Sequence, residues 1–397
     1  MQKRVKLNAS ARYQQLGVSA TKEDVHAAIA KLDKGLFPNA FCKVYPDSLT
    51  GDSDYCLISH ADGAGTKSIL AYLYWKETGD LAVWKNIAQD AIVMNLDDLI
   101  CAGATGPFLY TSTIGRNKAL FPAAPLAALI QGHQTVMDEL KEAGIEIHFM
   151  GGETADLGDV VKTVLVDGTM TCRMKKSDVI SNDKISVGDV IIGFSSEGQT
   201  TYESTYNSGI GSNGLTAARH DTLSNYYAEN YPEAYDLNLS KDVVFRGKHR
   251  LSDMHEGTGK SIGELLLSPT RSYAPLVKQI LEKHREDIHS VIHCSGGGQT
   301  KILHFAKDVH IIKHNLLPVA PVFELIQASS GTDWKEMYQV YNMGQRMEIY
   351  TTAEVAESII AIAASMQIKA QITGRVEEMK KEKAHLTIQS DKGTFEY

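Results

Sequence analysis

The chain has 397 residues, enough for two or three domains on a prior of roughly 100–200 residues each, and its hydrophobic share of 43% is that of a globular protein with a full core. Asp and Glu outnumber Lys and Arg by 48 to 40, a formal net charge of −8, which argues against a nucleic-acid backbone as the main partner. Five cysteines form no Cys-x-x-Cys pair, so they read as reduced core residues of a cytoplasmic protein, with no zinc site. Residues 1–10 lack the apolar core of a secretory signal, and runs such as Ile359–Ala364 fall far short of the roughly 18 residues of a membrane span.

Taken in order, residues 1–50 read as a lead-in, with a helix from about Lys22 that Thr21 caps and that turns Val25, Ala28, Ile29 and Leu32 to one face. Residues 57–67, Leu-Ile-Ser-His-Ala-Asp-Gly-Ala-Gly-Thr-Lys, form an apolar strand ending in an acid and a glycine turn. Gly63 and Gly65 allow positive φ and point backbone N–H groups at an anion, Lys67 adds a mobile positive charge, and Asp62 suits a divalent cation. It is not a Walker A loop, because Lys67 follows Gly-Thr directly; the alternative is an ordinary strand-to-helix turn with a solvated lysine. A helix over 67–78 stops at Gly79, and the next, 83–101, carries Ile87, Ala91, Met94 and Asp98 along one stripe. A carboxylate ending an apolar stripe needs a cation, a metal ion or a set of donors, and adjacent Asp97 sharpens the demand. In the alternative, Asp97 faces solvent and Asp98 caps the turn at Gly103.

Residues 107–115 alternate as a strand, a helix follows over 125–143, and the strand 145–150 runs into a second glycine turn, Gly151-Gly152-Glu153-Thr154. Val160–Cys172 is β-rich, and the charged stretch 173–183 marks the domain boundary, giving domains 1–176 and 177–397. The second domain opens with a strand over 189–194 and a polar segment, 195–213, too polar for core and longer than an ordinary loop. Ser212-Asn213-Gly214 begins a helix whose free N–H groups favour an anion. A helix over 273–284 precedes the strand 288–292, which runs into His293-Cys-Ser-Gly-Gly-Gly-Gln-Thr and a helix. Gly297-Gly298-Gln299-Thr300 echoes Gly151–Thr154 and hints at two related half-chains. A lone His at a strand end, such as His293, is more often structural than catalytic.

Seven stretches occur in a telling order: HADGAGTK at 60–67, LDDL-x₃-GA at 96–104, GGET at 151–154, SNG at 212–214, SPTRSY at 268–273, HCSGGG at 293–298 and EMYQVYNMG at 336–344. Together they make the chain resemble the aminoimidazole ribonucleotide synthase family, the phosphoribosylformylglycinamidine cyclo-ligases, over nearly its whole length. The same fold serves selenophosphate synthase, thiamine monophosphate kinase, a hydrogenase maturation factor and formylglycinamidine ribonucleotide synthetase. The first cysteine here, Cys42, is not in the context of a selenophosphate synthase, the chain does not end in the cysteine of the hydrogenase factor, and SPTR and MYQVYNMG point to the cyclo-ligase. Three departures mark a divergent, longer member. Gly211 stands where the family has a His before Ser-Asn-Gly, Asp97 replaces an Asn, and Gln345-Arg346 replaces a small Ile-Gly-like pair.

The resemblance implies an α/β (α+β) fold of two domains, mixed sheets with helices, and first-domain strands pairing across a homodimer interface. It implies ATP-dependent ring closure of formylglycinamidine ribonucleotide to aminoimidazole ribonucleotide with release of ADP and phosphate, in purine biosynthesis. ATP and Mg²⁺ are the implied cofactors, with no nucleic-acid or membrane partner. Asp62, Asp98 and Glu153 are implied metal ligands. Nucleotide or substrate contacts fall to Asp62, Gly63, Gly65, Thr66 and Lys67, to Gly151, Gly152, Glu153 and Thr154, to Ser212 and Asn213, and to Gly296, Gly297 and Gly298. Lys67, Asp98 and His293 are the candidate catalytic residues, and Asp62→Asn or Lys67→Ala is expected to abolish turnover with the fold intact. The alternatives are a phosphotransferase of the same fold acting on another metabolite, and a nucleotide-binding paralogue without turnover.

Overall fold

The computed structural model describes residues 13, 15–18, 27–29, 31–379 and 383–397. The helix expected from Lys22 lies largely outside these residues, and Ile29 and Leu32, which are described, are exposed and not on a buried face. Among the described residues no helix is long and apolar enough to cross a membrane. All five cysteines are buried and free.

Two sheets organise the chain. The first runs β1 (Val44–Pro46), β2 (Tyr55–Gly63), β5 (Val164–Lys175), β3 (Phe108–Arg116), β4 (Ile147–Asp156) in spatial order, antiparallel except for the β3–β4 pair. The second has the order β14 (Gly393–Glu396), β13 (His385–Ser390), β10 (Val309–Lys313), β12 (Ala370–Glu378), β6 (Val190–Ser195), β11 (Gln345–Thr351), β9 (Ile288–His293), with only β10–β13 parallel. A two-stranded ribbon, β7 (Met254–His255) with β8 (Lys260–Ser261), lies apart from both. Strand β5 alternates buried and more exposed residues along its length, as a strand with one covered face must.

Between the sheets lies helix α2 (Val83–Cys101); α1 (Lys67–Thr78) precedes it and α3 (Ala123–Glu142) follows β3. Gly79 takes a left-handed φ of 74° at the end of α1 and returns its N–H to the carbonyl of Trp75. The sequence predicts one apolar stripe on α2, but the helix is buried almost all round, from Val83 and Trp84 to Ile100 and Cys101. A helix apolar on every side belongs inside a core. Accordingly α2 feeds two hydrophobic clusters, each of which includes both sheets. Ile87 and Ala91 join Val166 and Ile292 in one, and Leu96 and Leu99 join Ile58, Met170, Val291 and Met347 in the other.

Three local expectations change. The Gly151–Thr154 segment is not a turn, because β4 runs straight through it to Asp156, with an irregular register opposite β3 between Tyr110 and Ser112. Residues 298–304 form a 3₁₀ turn and not an α-helix. The echo between these two segments therefore has no counterpart in the backbone. The polar segment 195–213 is not excluded from the core, since Thr200, Asn207, Ser208 and Ile210 are buried. Arg271 holds it. Its guanidinium donates to Glu203, to the Ser195 and Glu197 carbonyls from Nη1, and to the Gly198 carbonyl from Nη2.

Candidate active site

Strand β2 delivers His60 and Asp62 to one end of α2. Gly63 is needed for proximity and not for φ, since a Cβ there would overlap the Asp167 side chain and the Val166 carbonyl on β5; only Gly65, at φ +55°, has the positive φ expected of the pair. Asp62 is exposed, with Oδ1 accepting from the Gly63 N–H at 2.7 Å. Burial raises the pKa of neighbouring Asp167, and the Asp62 charge adds to the rise.

Lys67 corrects the sequence reading. Its ammonium is not mobile and does not reach solvent; it is fully buried, donating to Asp90 Oδ1 and the Gly211 carbonyl at 3.0 Å each, and to the Ser268 carbonyl. Burial pushes its pKa down, with Asp90 opposing. Asp90 also accepts from the Thr270 N–H at 2.8 Å and hydroxyl at 2.6 Å, and the Thr270 hydroxyl meets Ser212 Oγ at 3.2 Å. Lys67 thus props the SPTR and Ser-Asn-Gly segments from behind, so Lys67→Ala is expected to cost stability as well as to disturb the site.

At this same C-terminal end of α2, both aspartates are buried, which removes the alternative of a solvent-facing Asp97. Asp98 accepts from His293 Nδ1 at 2.6 Å, and its other oxygen lies 3.3 Å from His60 Nε2. His293 Nε2 in turn accepts from Arg346 Nε at 3.0 Å, so the network assigns the ring proton to Nδ1. Burial raises the Asp98 pKa, but the His293 hydrogen bond, His60 and Lys301 outweigh it and bring the carboxyl below its usual range. Asp97 accepts from Ser272 Oγ at 2.8 Å and the Tyr273 N–H at 3.1 Å, with Arg346 Nη2 at 3.4 Å. Burial dominates there and raises its pKa against Arg346, His293 and those donors.

The end of β9 completes the site. Gly297 and Gly298 take φ of 94° and 50°, and a Cβ on Gly296 would lie 3.9 Å from Asn213 Nδ2, so the glycine turn and the Ser-Asn-Gly turn face each other. The structure therefore brings Asp98, His293, Ser212, Asn213 and Gly296–Gly298 together, with Asp62 nearby through Asn95, which bonds both the Asp62 carbonyl and His60. Gly151, Gly152, Glu153 and Thr154 stay apart on strand β4. In register, Glu153 faces Thr113, Thr113 faces Asp167 and Asp167 faces Gly63. Three strand spacings, roughly 14 Å, separate Glu153 from the β2 turn. Among the described residues no group of three or more His, Cys, Asp or Glu is placed to hold a metal ion, so Asp62, Asp98 and Glu153 do not form one ion site within the chain. A cleft of about 740 Å³, lined by Lys85, Gln89, Glu139, Tyr202 and Asn207, lies on the helical side and contains none of these residues.

Sequence reasoning missed His60, Asp90, Asp167, Lys301 and the role of Arg346. Two signals were available. His60 is two residues before Asp62 on a strand, hence on the same face. Gly297-x-x-Thr300-Lys301 repeats the spacing of Gly63-x-x-Thr66-Lys67.

The family model described as AIR synthase related protein, N-terminal domain, matches residues 42–174, and its C-terminal counterpart matches residues 186–387. The chain is 30% identical over 375 residues to the phosphoribosylformylglycinamidine cyclo-ligase of Methanococcus maripaludis, covering 92% of each. Among solved structures, it resembles a chain of the HypE–HypF complex with TM-score 0.53 at 16% identity, covering 94% of this chain and 97% of that one. It also resembles T. maritima PurL complexed with ATP, with TM-score 0.51 at 11% identity, covering 98% of this chain and 53% of that one. At such identities these two likenesses speak for the fold alone.

Proposed function

Because the chain belongs to the AIR synthase related family, we propose that it is a cyclo-ligase that closes the imidazole ring of aminoimidazole ribonucleotide from formylglycinamidine ribonucleotide at the expense of ATP. The observation that carries this reading is the meeting of the Gly296–Gly298 turn, Ser212-Asn213 and the Asp98–His293 pair at one place. The opposed turns offer backbone N–H groups to phosphates, and Lys301, whose ammonium lies 5.4 Å from the Phe41 ring centroid, supplies the cation that buried Lys67 does not.

In the proposed reaction the formyl amide oxygen attacks the γ-phosphorus and ADP leaves. The amidine nitrogen then attacks the activated carbon, forming the ring C–N bond, and phosphate leaves with the former amide oxygen. One proton must leave the ring nitrogen. His293 Nε2 is occupied by Arg346, whereas the Asp98 oxygen facing His60 retains acceptor capacity; we assign the proton to Asp98 and an orienting role to His293. A magnesium ion does not fit Asp62, Asp98 and Glu153 as a set. Such an ion would arrive bound to the phosphates of ATP and would neutralise part of their charge.

We also propose a cytoplasmic homodimer built through the first sheet, whose exposed Leu109, Met150 and Leu165 support an additional covering layer. The deciding experiment is a coupled assay with ATP, Mg²⁺ and formylglycinamidine ribonucleotide, following ADP and the aminoimidazole product together. Equal yields are expected. ATP hydrolysis or binding without ring closure would direct attention to a phosphotransferase of the same fold.

A further inference from the structure

The three positions at which the sequence departs from the family pattern, Gly211, Asp97 and Arg346, meet in the fold. We infer that Arg346 reaches from β11 into the space beside Gly211, where the family pattern has a His before Ser-Asn-Gly, and that it acts as the positioning residue for His293 and Asp98. The inference rests on the cyclo-ligase reading above.

The geometry is specific at each contact. A Cβ on residue 211 would lie in contact with the arginine, 3.4 Å from Arg346 Cδ and 3.5 Å from Nη1, so a longer side chain such as histidine would compete for the space the arginine fills. Glycine at 211, with φ +70°, leaves that space to Arg346. The arginine reaches it from the residue pair where the family is small. Its Nη2 meets Asp97, whose carboxylate is wholly buried. A neutral Asn at 97 needs no cation, whereas a buried Asp does. The charge change on α2 and the charge gained on β11 therefore compensate one another.

Arg346 spends its remaining donors on the site. Nε fixes the His293 ring through Nε2, and the opposite ring nitrogen holds Asp98. Among the described residues Nη1 has no hydrogen-bond partner, and it borders the turn that leads into Ser212-Asn213. It is the donor left over for an anionic oxygen of the ligand, either a nucleotide phosphate or the phosphate carried by the activated substrate.

The test uses the full chain and reciprocal exchange. Arg346→Gly and Gly211→His are each expected to lower kcat by roughly 100-fold, the scale for losing a preorganised donor, with a smaller change in KM. The double variant is expected to recover at least about ten-fold over the product of the two losses, because contacting residues couple, and adding Asp97→Asn is expected to recover more. A double variant that merely multiplies the single losses, with an unfolding midpoint like that of the unaltered chain, overturns the inference. Arg346→Lys keeps the charge without the fork and serves if Arg346→Gly does not fold; wild-type kcat in that variant also overturns it. If the unaltered chain binds ATP but closes no ring, the cyclo-ligase reading fails by itself. The same coupling, measured in the ATP dissociation constant, then still decides the exchange.

Discussion

The Nζ of Lys67 lies 3.0 Å from Oδ1 of Asp90, and neither side chain reaches solvent. Two buried charges hold each other here, and Asp90 uses the same oxygen to order Thr270. Lys67→Ala is expected to destabilise the chain by about 3–5 kcal/mol, because it leaves a buried carboxylate unpaired. Lys67→Met combined with Asp90→Asn removes both charges and should restore most of that loss. Urea unfolding of both variants beside the unaltered chain decides it: a double variant as unstable as the single one would show that the pair is not the cause.

Asp98 poses the opposite case, a carboxylate whose direct contacts among the described residues are two histidines and whose loss of charge the site can absorb. Asp98→Asn retains an oxygen for His293 and is expected to lower kcat by roughly 100-fold or more while the melting temperature moves by a few degrees. Steady-state kinetics beside calorimetry separates these effects. Unchanged turnover would remove Asp98 from the chemistry.

Arg271 ties five acceptors of the 195–203 segment to SPTR, counting both Glu203 oxygens with the three carbonyls. Arg271→Lys keeps the charge but cannot span them, and should cost about 3 kcal/mol or more, the scale of hydrogen bonds to a charged group. Hydrogen exchange should rise first over residues 195–207. Exchange that rises uniformly across the chain would count against a local role.

His220 gives the chain an acid sensitivity. Burial, aided by Arg219, pushes its pKa from near 6.5 down to about 2. Between those values the unfolded chain binds a proton that the folded chain refuses. The stabilisation is therefore present above pH 6.5 and lost as pH falls from 6.5 towards 2, by at most about 1.36 kcal/mol per pH unit. Burial pushes His133 down as well, with the same sign. His220→Asn preserves an acceptor for the Phe245 N–H and should flatten the profile of unfolding free energy against pH. An unchanged slope would show that other groups govern it.

Much of the fold was legible because periodicity and glycine punctuation are local. The strand–turn–helix from Leu57 to Thr78 and the strand entering His293-Cys-Ser-Gly needed no tertiary information. What the sequence misjudged depended on partners far along the chain. Lys67 looks like a solvent-reaching lysine until Asp90 and the Gly211 and Ser268 carbonyls surround it. The 195–213 segment looks too polar to bury until Arg271 supplies the donors. Glu153 shares a glycine-acid pattern with Asp62, but pattern carries no strand order, and the order β2-β5-β3-β4 keeps them apart.

Helix α2 lies in both hydrophobic clusters, and both clusters draw on both sheets. The halves recognised by separate family models accordingly share their interior. A cut between 176 and 189 would bare apolar surface on each fragment, and heat should melt the chain in one cooperative step. A lesion anywhere along α2 then reduces output by lowering the fraction of chains that are folded, even where no ligand-facing group is touched.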